Sequence, residues 1–119
     1  MPAYFEEIGN PEEFGETLKL NPGMIIVKFG AEWCGPCKKI DGLVKERMLQ
    51  MPSNFDCYII DIDECFELYA FLKSKRMVNG IPAILAWKKG NLTTIPDAVV
   101  NSSKTTEVES FFQQCLSMK

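Results

Sequence analysis

The sequence predicts an α/β fold: a central mixed β-sheet of about five strands flanked by four helices, in a single domain over residues 1–119. Three observations predict it. Strand-like and helix-like stretches alternate in the order β-α-β-α-β-α-β-β-α, which places helices on both faces of one sheet. The run Met24-Ile25-Ile26-Val27-Lys28-Phe29 is almost entirely apolar, as a central strand covered on both faces must be. Lys89-Gly90-Asn91, between residues 83–88 and 92–96, is a hairpin signal that supplies the antiparallel part.

Taken in order, residues 3–8 are expected to form a short edge strand. Pro11 opens a helix to about Leu20, with Asn10 as its N-cap and Glu12 and Glu13 in the positive first turn. Asn21-Pro22-Gly23 is a turn, and the strand 24–29 follows. A second helix runs from Cys34 to about Met51, because Ile40, Leu43, Val44, Met48 and Met51 recur three or four residues apart. Gly42 in its interior costs about 1 kcal/mol relative to alanine, which suggests a bend or close packing there. A strand over 57–62 precedes a helix from Glu64 to Lys75, and Lys73, Lys75 and Arg76 suit the negative end of that helix. After the hairpin, a helix from about Lys104 to Ser117 carries the apolar stripe Val108, Phe111, Phe112, Cys115 and Leu116, and Thr106 to Glu109 has capping-box spacing.

The chemistry concentrates in Trp33-Cys34-Gly35-Pro36-Cys37-Lys38. Residues three apart share one helix face, which brings the two cysteines within disulfide reach. Proline is tolerated in a first helical turn, so Gly35-Pro36 reads as a helix start. The free N–H groups and macrodipole of that terminus favour thiolate over thiol. Cys34 is expected at the cap, exposed and with a lowered pKa, to attack a partner's disulfide. Cys37, one turn in and more shielded, would attack the mixed disulfide and release the reduced partner. The competing readings are a structural disulfide or half a zinc site. Zinc needs about four ligands, the chain has no histidine, and Cys57 and Cys65 match no usual ligand spacing, so no metal and no dissociable cofactor is expected.

A net charge of −3 gives no basic footprint for nucleic acid or an anionic membrane. No stretch approaches the roughly 18 apolar residues of a membrane span, and residues 1–10 carry Glu6 and Glu7 with no apolar run of signal-peptide type. Five cysteines are an odd number, awkward for a secreted disulfide framework. These features favour a cytoplasmic, reducing compartment.

Trp33-Cys-Gly-Pro-Cys-Lys38, preceded by Ala31-Glu32, resembles the active-site motif of thioredoxins. Asp61-Ile62-Asp63-Glu64-Cys65 resembles the third strand and exit of animal-type members, Gly80-Ile81-Pro82 the cis-proline loop, and Trp87-Lys88-Lys89-Gly90 the last hairpin, all in the family's order from about Tyr4 onward. The resemblance implies a thioredoxin fold and protein-disulfide exchange, with protein disulfides as substrates, an NADPH-dependent thioredoxin reductase as electron source, and a monomer. It implies that Pro82 is cis against the dithiol, that Ile81 offers backbone groups to an extended substrate, and that Trp33, Gly35, Pro36, Gly80 and Ile81 form a small docking patch with Trp33 largely exposed. Cys65 resembles an extra cysteine of animal-type members, with regulatory oxidation as its implied role. Cys57 and Cys115 read as inert buried thiols.

Departures from the family pattern bear on the same site. Thioredoxins usually carry a buried aspartate where Lys28 stands, and a kinking proline where Gly42 stands. Two readings of Lys28 are open. A nearby ammonium would favour thiolate and make the dithiol more oxidising; alternatively the stem is buried and the charge reaches the surface. Gly30 replaces a large aromatic, and around Asp97-Ala98-Val99 a side chain stands where the family has a glycine, which would narrow the range of partners. These departures sustain an alternative, a non-catalytic or specialised binding or scaffold module on the same fold.

Overall fold

The computed structural model describes residues 4–118. Its elements are α1 (Pro11–Lys19), β1 (Met24–Gly30), α2 (Gly35–Leu49), β2 (Phe55–Asp61), α3 (Phe66–Ser74), β3 (Ala83–Lys88), β4 (Ala98–Val100) and α4 (Thr105–Met118). The strands form one sheet in the order β2-β1-β3-β4. β1 runs parallel to β2 and antiparallel to β3, and β3 is antiparallel to β4.

Every residue of β1 is buried. Successive side chains of a strand point to opposite faces, so Ile25, Val27 and Phe29 join one core with Phe14 and Leu18 of α1 and Leu68 and Leu72 of α3. Met24 and Ile26 join a second core with Ile40, Val44 and Met48 of α2 and Val108, Phe111 and Phe112 of α4. Arg47 Nε donates to Glu109 Oε1 at 2.6 Å and ties α2 to α4 on the second face. The N-terminus of α1 follows the sequence reading: Asn10 Oδ1 accepts from Glu13 N–H at 2.8 Å, and Glu13 Oε2 accepts in return from Gly9 N–H at 3.0 Å.

Among the described residues the sheet has four strands, where the sequence suggests about five. The expected edge strand over residues 3–8 reduces to one parallel bridge, Phe5 to Tyr58, with hydrogen bonds at 2.8 Å to Cys57 O and from Ile59 N; residue 3 lies outside the described residues. Glu6 and Glu7 beyond it are exposed, so the chain leaves the sheet there. The return strand of the hairpin is Ala98–Val100 and not 92–96. Asn91 explains the shift: its amide donates to Ile95 O at 2.9 Å, and its Oδ1 accepts from Thr93 N–H at 3.0 Å. Local side-chain bonds of this kind satisfy the backbone in place of a ladder.

The capping box at Thr106–Glu109 is not formed. Helix α4 begins at Thr105, Ser102 Oγ accepts from Lys104 N–H at 3.0 Å and bonds Glu107, and Glu109 is committed to Arg47. Gly42 is not a point of close packing either, because a Cβ built on it meets nothing within 4 Å. Its cost is therefore entropy and propensity alone. Gly42→Ala is expected to stabilise the chain by about 0.5–1 kcal/mol, read as a higher urea midpoint at an unchanged m-value.

Candidate redox site

Helix α2 begins where β1 ends, after the loop Ala31-Glu32-Trp33 and its N-cap Cys34. Cys34 has extended backbone (φ −84°, ψ 105°), and its Sγ accepts from Cys37 N–H at 3.2 Å, so sulfur takes the place of the usual capping oxygen. Cys34 and Cys37 are joined as a disulfide with Cα atoms 5.2 Å apart, inside the ordinary range. The expectation of an exposed Cys34 is corrected in this oxidised form, in which the residue is 4% exposed and Cys37 1%. In this form the Cys34 sulfur lies over the helix N-terminus, on the Cys37 N–H. The rim around it is what meets solvent: Trp33, at 66% exposure, with Gly35 and Pro36. Trp33 Nε1 donates to Asp63 Oδ2 at 2.7 Å, which anchors the exposed indole to the loop after β2.

The Ile81–Pro82 bond is cis, and Gly80 before it has φ +106°, a left-handed conformation that favours glycine. Register pairs Ala83 with Phe29, so the loop 80–82 and the loop 31–34 leave the same end of neighbouring strands. Pro82 is buried, while Gly80 and Ile81 are half-buried. Asn101 frames this loop, a role the sequence reading missed: its Nδ2 donates to Pro82 O at 2.9 Å and Gly80 O at 3.3 Å, and its Oδ1 accepts from Asn79 N–H at 3.0 Å. Its one sequence signal is a polar residue directly after β4. Ile81's own backbone N–H and C=O have no partner among the described residues.

Lys28 is buried and its amine pairs with Asp41 of α2, a partner that sequence reasoning also missed. Asp41 stands one turn beyond Cys37, the spacing that places it over the same strand. Ala98 points into the second core, opposite Ala86, and it is Val99 that faces outward. Of the stretch Asp97-Ala98-Val99, it is therefore Val99 and not Ala98 that presents a side chain to a partner.

Cys57 and Cys115 are buried, and desolvation pushes both thiols from an ordinary 9.0 up to about 12, with Asp56 and Cys57 respectively adding to the rise. Cys65 is half-buried, and its thiol is also pushed up, first by desolvation and then by Glu7, which opposes thiolate chemistry there. Its regulatory reading rests on the resemblance alone.

Fold and site together define an α/β protein that carries a Cys-x-x-Cys disulfide on a helix tip, with a cis-proline loop at the same end of the sheet. The thioredoxin family model matches residues 7–114. Thioredoxin Asp f 29 of Aspergillus fumigatus is 33% identical over 91 residues, covering 76% of this chain and 79% of its own. The chloroplastic thioredoxin M-type of Brassica napus is 32% identical over 90 residues, or 75% of this chain. The chain spans about half the length of the chloroplastic plant relatives it matches, 43% and 49%. The crystal structure of thioredoxin from Trypanosoma brucei brucei superposes with a TM-score of 0.75 at 17% identity, covering 98% of this chain and 95% of that one, which shows the fold. The chain belongs to the thioredoxin family, with a thioredoxin fold.

Two outcomes are expected from this geometry. Asn101→Ala removes three hydrogen bonds at the loop 79–82 and is expected to cost about 1–2 kcal/mol in chemical denaturation. The raised thiols set a pH dependence with a definite sign. Above pH 9.0 the unfolded chain loses protons that buried Cys57 and Cys115 keep, so their contribution to stability is intact below that pH and is lost as pH rises toward about 12. Urea midpoints between pH 8 and 11 are expected to fall less steeply in Cys115→Ala than in the parent.

Proposed function

We propose that the chain is a protein-disulfide oxidoreductase in which Cys34 is the nucleophile and Cys37 resolves. One observation carries this reading: the Cys34 sulfur is itself the cap of α2, receiving the Cys37 N–H at the positive end of a 15-residue helix. A donor and a helix dipole aimed at a sulfur stabilise its anion, and the thiolate is the nucleophile in disulfide exchange. The unpartnered backbone of Ile81 supports docking of an extended substrate segment there. Trp33, Gly35 and Pro36 are exposed around it and Gly80 is half-buried, while the buried Pro82 shapes the loop from beneath.

In the reaction the Cys34 thiolate attacks one sulfur of the partner's disulfide and the other sulfur leaves. The Cys37 thiolate then attacks Cys34 Sγ, re-forming the Cys34–Cys37 bond seen here and releasing the second partner sulfur. The partner gains two electrons and two protons. Return of the chain to the dithiol state needs an external reductant, and we assign that role to an NADPH-dependent thioredoxin reductase. Action as a monomer of one domain in the cytoplasm completes the proposal.

Reduction of insulin by the purified chain, with dithiothreitol or a reductase as electron source, tests the reading. Turnover is expected in the parent and a fall to background in Cys34→Ser, while Cys37→Ser is expected to accumulate a mixed disulfide with its substrate. A folded parent without turnover would refute the enzyme and leave a binding module on the same fold.

A further inference from the structure

The buried amine of Lys28 has no part in the disulfide or the docking loop. Met24, Ile26, Lys28 and Gly30 share one face of β1 by two-residue alternation, the face covered by α2 and α4. Lys28 is 3% exposed, and its amine does not reach solvent but ends on the Asp41 carboxylate. Gly30 places no side chain in the space beside it. The point where its Cβ would stand is 3.4 Å from Lys28 Nζ and 3.4 Å from Cys37 Sγ, so amine and sulfur lie no further apart than twice that distance.

We infer that Lys28, held by Asp41 in the space left by Gly30, is a positioning residue that stabilises the Cys37 thiolate for the resolving step. The inference rests on the exchange reaction proposed above. In that step Cys37 gives up its thiol proton, its sulfur bonds Cys34 Sγ, the bond from Cys34 to the partner breaks, and the partner's sulfur takes the electron pair and a proton. The ionic charge that develops on Cys37 has an ammonium within reach across a space that holds no side chain. A cleft of about 330 Å³ open to solvent is lined by Lys28, Gly30 and Asp41.

Other charges face this cluster. Lys45 of α2 lines the cleft beside Asp41, and Glu6, Glu32, Asp61 and Glu64 line its remaining walls. Those four carboxylates oppose a thiolate, but they line a cleft open to solvent, where water and salt screen them. β3 and α4 contribute the apolar Ile84, Val108 and Phe111 to this core, and Glu109 of α4 is held by Arg47 of α2. Lys28 lines the same cleft and Asp41 offsets part of its charge, so its bearing on Cys37 comes from nearness across the space at Gly30, while the four wall carboxylates act through solvent.

The test is a titration of Cys37 by the ¹³Cβ resonance in a Cys34→Ser background, where the motif holds one thiol and the titration is not shared. Lys28→Met, close in volume and uncharged, is expected to raise the apparent pKa by about one unit, a tenfold smaller thiolate fraction at neutral pH. With Lys28 intact, the Lys28 ¹⁵Nζ resonance is expected to shift in step with Cys37 ionisation, a readout that needs no folded Lys28 variant. An unchanged Cys37 pKa in a folded Lys28→Met protein, or a Lys28 signal indifferent to Cys37 ionisation, would overturn the inference. Neither readout needs a protein substrate, so the two failures are distinguishable: loss of insulin reduction with the coupling intact refutes the proposed function and with it the role in the resolving step, whereas loss of the coupling with insulin reduction intact overturns this inference alone.

Discussion

A strand covered on both faces is the constraint on which the rest of this structure depends. All seven residues of β1 are buried, with one helix pair packed on each side. Such a strand has no freedom of register, because a one-residue slip would exchange the contents of its two cores. Fixing β1 fixes both halves of the site. Its C-terminal end launches the loop that caps α2, and its antiparallel partner β3 starts immediately after the cis-proline. Two loops distant in sequence are thereby delivered to the same end of the sheet by backbone pairing.

Lys28 stands inside that buried strand, and stability does not account for it. Taking an ammonium out of water costs several kcal/mol, and a well-packed apolar side chain in place of a buried ion pair is often as stable or more so. Its partner is only partly desolvated, since the Asp41 side chain is 44% exposed. The geometry bears on the two readings open from sequence. The amine neither reaches solvent nor stands alone; it stops at a carboxylate on the first turns of α2, close to the sulfur of Cys37. A charge kept in so buried a position, beside the second sulfur of the motif, is the observation from which the positioning role of Lys28 is inferred.

Local chemistry made much of this legible beforehand. The apolar run of β1, the Asn10 cap of α1 and the Gly-Pro opening of α2 each depend on near neighbours in the chain, and each stands where the residues put it. The motif and its cis-proline were legible for the same reason, as short strings with a fixed backbone role. What was not legible depends on competition or distance. Residues 92–96 have strand-like composition, yet Asn91 and Thr93 bond the nearby backbone first and push pairing on to Ala98–Val100. Asp41 and Asn101 are ordinary polar residues in sequence. They acquire roles only when the fold sets one against Lys28, thirteen residues away, and the other against Pro82, nineteen away.

The two departures at positions 28 and 30 explain one another when considered by volume and charge together. A lysine reaching up from β1 needs room for its amine under α2, and a large aromatic at position 30 would take that room, since even a Cβ there lies 3.4 Å from both the amine and the Cys37 sulfur. Gly30 with a short carboxylate at position 28 would leave the same space empty, and a void in a packed core forfeits the contacts of everything that lines it. Lysine with glycine brings the amine to the edge of that space and leaves no side chain between the charge and the sulfur. Both substitutions lie on the same face of one strand, two residues apart, where alternation obliges them to share neighbours. The dithiol thus keeps its helix cap and its cis-proline loop, while the sign of the buried charge beneath its second sulfur differs from the carboxylate that the family resemblance implies.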